Sequence, residues 1–182
     1  MEEDHLSHNN ILKKPYICLM KKFFVLLFVL SLNNHAFGAG GDSSSDTTSS
    51  KTSSYDQAVK SIKRAEKLEK KDKKDKAIKN YSKAFKKLEK AYLKDKSNPD
   101  ILNYMGYTSR KLGNFVEAEQ FYLKGLDFKP NHTGINQYLG TLYVQTNRID
   151  KANERLKVLK SCNCDEYKDL ELIIKTRDTK LY

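Results

Sequence analysis

Asn98-Pro99-Asp100-Ile101-Leu102-Asn103-Tyr104-Met105-Gly106-Tyr107, then Lys111-Leu112-Gly113-Asn114, then Ala118, Tyr122 and Pro130, is the stretch that decides the fold. A second copy follows at a shift of 34 residues. Gly106 recurs as Gly140, Ala118 recurs as Ala152, and Gly113-Asn114 is answered by Asn147-Arg148. Self-similarity at this period is the signature of stacked helical hairpins. Two helices approach to about 8–10 Å only where their contact residues allow it. Glycine inside a helix costs about 0.5–1 kcal/mol relative to alanine, so a glycine at a repeating register points to packing. The expectation is that Ala118 faces Gly106 and Ala152 faces Gly140.

Large apolar residues surround these positions at helical spacing. They are Leu102, Met105, Leu112, Phe115, Phe121, Tyr122 and Leu126 in the first copy. Leu139, Leu142, Tyr143, Ile149, Leu156 and Leu159 follow in the second. Asn98-Pro99 supplies an N-cap and a first-turn proline. Gly113 and Asn147 tolerate positive φ, which suits a tight helix end.

The pattern resembles the tetratricopeptide repeat (TPR). The family's small positions fall on Gly106, Ala118 and Gly125, with its closing proline at Pro130. In the second copy they fall on Gly140 and Ala152, while Leu159 takes the third small position and Glu166 the proline's place. The resemblance covers about residues 99–166. It implies an all-α fold: a right-handed α-solenoid of stacked antiparallel hairpins with about 6–7 helices.

Upstream, Tyr55, Val59, Ile62 and Ala65 line one side of a helix. Ile78, Tyr81, Phe85, Leu88 and Tyr92 form an amphipathic stripe spaced 3, 4, 3, 4 on the next. Lys71–Asp75 is read as the turn between them, and the pair over 55–98 as a degenerate first hairpin. Ala77–Ala84 parallels Ala118–Gly125 at an offset of 41, seven residues beyond the repeat. Seven residues are about two helical turns, so the helix lengthens without rotating its face. The divisions expected downstream are a repeat over 99–132, a second over 133–163 and a capping helix over 164–182.

The N-terminal segment 1–38 reads as targeting signal. Met20-Lys21-Lys22 precedes an apolar run from Phe23 to Leu32, and Ala36-Phe37-Gly38 offers small residues at a cleavage site. Ten apolar residues fall short of the roughly 20 that span a bilayer. Export, to a bacterial periplasm, is the expectation, with Met20 as the true start; an uncleaved N-terminal anchor extended through Tyr16–Leu19 is the alternative. Residues 39–54 form a Ser/Thr/Gly linker with no apolar residue to offset ordering entropy.

The formal net charge is +11, and residues 51–96 carry 17 Lys/Arg against 7 Asp/Glu. Such a face suits anionic partners, an anionic membrane surface among them, or simply keeps a first hairpin soluble. Nucleic acid is not expected as a partner: Arg64 is the only arginine there, and the aromatics fall on the apolar stripe, leaving no stacking platform.

Cys162 and Cys164 follow the last repeat. An oxidising compartment favours a disulfide, but residues i and i+2 of a helix point apart, so a bridge requires a non-helical turn. Unpaired or intermolecular thiols, and a redox or metal role, remain open. Zinc usually takes four N/S ligands in a structural site, and His132 is the one histidine after residue 38, so no metal site and no cofactor is expected. The ending Cys164-Asp165-Glu166-Tyr167-Lys168-Asp169-Leu170 is similar to that of small secreted bacterial TPR proteins with a cysteine pair after the last repeat. Here the two cysteines stand closer together than in that group.

In the TPR family the first helices line a groove that takes peptides or partner helices. By register the resemblance places Asn103, Tyr107 and Arg110, then Gln137, Thr141 and Val144, in that groove, flanked by Tyr104 and Tyr138. The chaperone-tail clamp of some TPRs needs Lys and Asn where Asn103 and Tyr107 stand, so that clamp is not expected. There is no phosphate-binding glycine loop, no paired histidines on a helix and no nucleophile elbow. A protein or peptide-binding module without catalysis is the expected function. The alternative is a thiol-dependent or anionic-surface-binding accessory protein.

Overall fold

The computed structural model describes residues 52–179. The targeting segment 1–38, the linker up to residue 51 and residues 180–182 lie outside the described residues. Seven helices follow one another among the described residues: α1 (Ser54–Glu69), α2 (Lys74–Tyr92), α3 (Pro99–Lys111), α4 (Phe115–Phe128), α5 (Thr133–Gln145), α6 (Ile149–Leu159) and α7 (Asp165–Thr176).

Local chemistry starts and stops them. Ser53 Oγ accepts the Asp56 N–H at 3.0 Å ahead of α1. Asn98 Oδ1 accepts from Asp100 N and Ile101 N at 3.0 and 3.3 Å, with Pro99 in the first turn of α3. Such caps satisfy backbone donors that have no partner inside the helix. His132 caps α5 in the same way, its Nδ1 accepting from Ile135 N at 3.2 Å. At α7 the cap position belongs to Cys164, and Asp165 lies one residue inside the helix and pairs with Lys168 at 3.2 Å. Each hairpin turn contains one left-handed residue: Asp72 (φ 53°), Gly113 (φ 85°) and Asn147 (φ 59°). The first turn is shorter than the sequence suggests, since α2 already begins at Lys74.

Within hairpins the helices run antiparallel. Lys87, late in α2, donates to the Gln57 carbonyl, early in α1, at 3.3 Å. Ser109, near the end of α3, donates to Glu117, near the start of α4, at 2.9 Å. Between hairpins the first helices run parallel. Tyr55 and Tyr104 meet at 5.9 Å between ring centres, and one turn short of the helix ends Tyr107 OH donates to Glu66 at 3.0 Å. His132 meets Asp100 at 3.0 Å while Arg110 donates to Gln145 at 3.3 Å. Thr133 donates to Glu166 at 3.1 Å and Gln137 to Asp169 at 3.1 Å. The helices α1, α3, α5 and α7 therefore form one layer, and α2, α4 and α6 pack outside it. This is an all-α solenoid of helical hairpins with a TPR-like arrangement, ended by a lone helix in the first-helix position.

The core runs along the array. Ile62, Tyr81 and Leu88 fill the first hairpin; Leu102 and Tyr122 the second; Leu139, Leu142, Ala152 and Leu159 the third; Leu170 and Ile173 seal α7. At the repeating glycines the nearest neighbours are larger side chains than the alanines. The nearest atoms to a Cβ on Gly106 would be the ring of Tyr122, not Ala118. On Gly140 they would be the Leu170 side chain from α7, not Ala152. Ala118 and Ala152 are both fully buried. Pro130 is exposed, and its carbonyl accepts from Asn136 Nδ2 at 2.9 Å, tying the inter-hairpin turn to α5.

Candidate binding groove

The C-terminal ends of α1, α3 and α5, with Lys74 and Ile78 from the start of α2, border a cleft of about 870 Å³. Glu66, Glu69 and Lys70 come from α1 and its end, Tyr107, Arg110 and Lys111 from α3, and Tyr138 and Gln145 from α5. Parallel packing is what brings three helix ends to one place. Helix C-termini carry partial negative charge and favour cations, and Arg110 and Lys111 occupy the last turn of α3. Lys111 Nζ lies 2.8 Å from Glu69 and 5.8 Å above the rings of both Tyr81 and Tyr107. Arg110 lies over the Tyr107 ring at 5.5 Å. After α7 the chain turns through left-handed Arg177 (φ 60°), and Thr179 borders the same cleft.

The residues assigned to the groove by register mostly lie in the contacts between first helices. Asn103, Tyr107, Arg110, Gln137, Thr141 and Val144 are all buried. Tyr107 packs tilted against Tyr138 at 5.0 Å and edge-to-face against Tyr81 at 6.0 Å between ring centres. Thr141 Oγ1 donates back to the Gln137 carbonyl at 2.9 Å. Gln137 bonds Asp169 of α7, so the terminal helix covers it. Tyr104 and Tyr138 are half-buried. Of this set, Tyr107, Arg110 and Tyr138 line the cleft, and only Tyr138 retains appreciable exposure. Missed in the sequence were the contributions of Glu66, Glu69, Lys111 and Gln145. The apolar pattern marks the buried face of a helix but not where its end meets two neighbours.

His132 is the other unforeseen element. Its Nδ1 accepts a backbone N–H, so in the neutral ring Nε2 carries the hydrogen and donates to Asp100 at 3.0 Å. One imidazole thus caps α5 and ties it to the start of α3.

Burial raises the phenol pKa values of the groove tyrosines. Tyr81 and Tyr107 are pushed above the ordinary range chiefly by desolvation, with neighbouring Glu66 adding to the effect. Tyr138 and Tyr55 are pushed up to about 12, again by burial first. A phenol whose folded pKa exceeds its unfolded value of about 10 contributes stability that is complete below pH 10 and lost as pH rises through the folded pKa. The melting temperature is expected to fall steeply above about pH 10, with phenolate absorbance rising together with unfolding. Gradual ionisation of these tyrosines in a chain still folded at pH 12, followed by circular dichroism, would contradict that burial.

Cys162 and Cys164 are bonded, with S–S 1.97 Å and Cα atoms 5.2 Å apart. Asn163 between them has φ 47°, the non-helical backbone that an i to i+2 bridge requires. The bridge closes the α6–α7 turn. Among the described residues no three His, Cys, Asp or Glu side chains stand together as a metal site. No described helix is long and apolar enough to cross a membrane.

No family model matches this sequence, and no curated protein matches it. Among solved structures the chain is similar to an Arabidopsis OM64 TPR domain, at 16% identity and TM-score 0.44, over 69% of this chain and 99% of that one. It is also similar to the first TPR of Spaghetti (RPAP3) bound to HSP90 peptide SRMEEVD, at 19% identity and TM-score 0.43, over 68% and 94%. A third is the second TPR domain of human RPAP3 in complex with an HSP70 peptide, at 17% and 0.42, over 68% and 98%.

Proposed function

We propose that the chain is an exported bacterial interaction module, periplasmic and without catalysis of its own, that holds an extended peptide or partner helix in the cleft at the ends of α1, α3 and α5. The observation that carries this reading is the cleft's composition. Three successive hairpins supply tyrosine faces, a glutamine amide and charges of both signs around about 870 Å³. Rigid aromatic rings with adaptable polar groups are the chemistry of recognition surfaces. Export is supported by the Met20–Gly38 pattern and by the oxidised Cys162–Cys164 pair, a bond that persists in oxidising compartments.

The test compares crosslinked partners of the full chain with those of a Lys70→Ala, Gln145→Ala variant in a periplasmic extract. Both side chains border the cleft and are exposed; because Gln145 also accepts from buried Arg110, the melting curve of the variant is recorded beside the capture. A partner captured by the wild type and at least about tenfold less by the variant, roughly 1.4 kcal/mol, is the expected result. Identical capture by both would remove the cleft from the reading. A thiol-dependent role is the second reading, favoured by the half-buried position of both cysteines in the turn. Cys162→Ser, Cys164→Ser with unchanged partner capture and redox response would end it.

A further inference from the structure

Five lysines stand in a row on the outer surface of α2: Lys76, Lys79, Lys83, Lys86 and Lys90, spaced 3, 4, 3, 4. All five are exposed. They occupy the face turned away from buried Ala77, Tyr81, Ala84, Leu88 and Ala91. From first to last the row extends about 21 Å at 1.5 Å per residue. None of the five has an ion-pair partner among the described residues; Lys74 and Lys87, off the row, pair with Asp72 and Ser61. Asp75 and Glu89 are the acids of α2, and neither bridges to the row. Like charges three and four residues apart on a helix oppose helix formation. An uncompensated row of five therefore weakens the helix that carries it. At its C-terminal end Leu93 is 71% exposed, on the same side as Lys79 and Lys86.

We propose that this face of α2 docks the domain onto an anionic lipid bilayer. A straight row on one helix matches a plane. Lysine heads reach anionic headgroups while their stems lie along the apolar boundary, and Leu93 adds an apolar contact at one end of the row. The features that nucleic-acid binding uses are missing from this face. It has no arginine fork, and the aromatics of α2 are turned away: Tyr81 is buried, Phe85 packs on Phe121 at 6.0 Å, and Tyr92 meets Lys124. None of the five lysines lines the peptide cleft, so failure of either reading leaves the other standing.

The test is flotation of the full chain with vesicles of phosphatidylcholine alone or mixed with phosphatidylglycerol. The neutral vesicles measure any insertion by the apolar run Phe23–Leu32. Each lysine near an anionic leaflet strengthens binding roughly fivefold. A Lys79→Gln, Lys83→Gln, Lys86→Gln variant is therefore expected to bind anionic vesicles about a hundredfold more weakly. The same three positions changed to arginine retain binding, and Lys129→Gln, Lys157→Gln, Lys160→Gln, which removes equal charge elsewhere, retains most of it. Binding indifferent to phosphatidylglycerol, or weakened equally by both glutamine variants, would overturn the proposal. So would displacement of the bound chain by a single-stranded oligonucleotide at lower concentration than by anionic vesicles, which would assign the row to nucleic acid.

Discussion

Gly106→Leu is expected to destabilise the chain by about 3 kcal/mol or more, at the upper end of overpacking costs, and to lower its melting temperature by about 10 °C or more. Even the first added carbon would stand 2.5 Å from Tyr122 Cε1 and 2.6 Å from Cδ1. Tyr122 is fully buried, so its ring has nowhere to swing. The equivalent substitution at Gly140 meets the methyl ends of Leu170, at 2.6 Å and 2.7 Å. A leucine terminus on the last helix yields more easily than a buried ring. Gly106→Ala should therefore cost more than Gly140→Ala, although both gain about 1 kcal/mol of helix propensity. Thermal and urea unfolding of the three variants decides the matter, and an unchanged melting temperature for Gly106→Leu would show the α3–α4 register to be wrong.

Tyr107→Ala is expected to cost about 3–5 kcal/mol, the range for truncating a large buried aromatic. The ring sits between Tyr81 and Tyr138 with two cations against it. Its hydroxyl is donated to Glu66, a carboxylate on the preceding hairpin. Tyr107→Phe keeps the ring and loses that bond, so about 1–2 kcal/mol is expected. Urea titration separates the two, and a loss below about 1 kcal/mol for alanine would contradict the ring's burial. The consequence for binding studies is direct. Alanine at Tyr107 or Arg110 removes packing between hairpins as well as any groove contact, so exposed Lys70 and Gln145 are the better probes.

The hairpin period was legible because Gly106/Gly140 and Ala118/Ala152 mark the same register twice, and because Asn98-Pro99 and Gly113 announce helix ends in local chemistry. The first hairpin was legible from its 3, 4, 3, 4 apolar stripe, without the glycine. What the glycines touch was not legible. Gly106 meets Tyr122 four residues beyond Ala118, a choice set by how α4 is turned about its own axis. Nor was the burial of Asn103, Gln137 and Thr141, since each helix's polar face is covered by the neighbouring first helix at a spacing no single helix encodes. His132 escaped notice because histidine is not among the preferred capping residues. It caps here because Asp100, in the previous hairpin, holds the other ring nitrogen.

The order of contacts along the array bears on how the chain is made. The outer helices shorten along it, from 19 residues in α2 to 14 in α4 and 11 in α6. Every helix packs on elements that precede it by one or two positions: α3 on α2 and α1, α5 on α4 and α3, α7 on α6 and α5. As the chain emerges N-terminus first, no described segment has to wait for a distant partner that has yet to appear. The longest hairpin emerges first and acts as the template on which each later one condenses, which is the local contact pattern associated with fast folding.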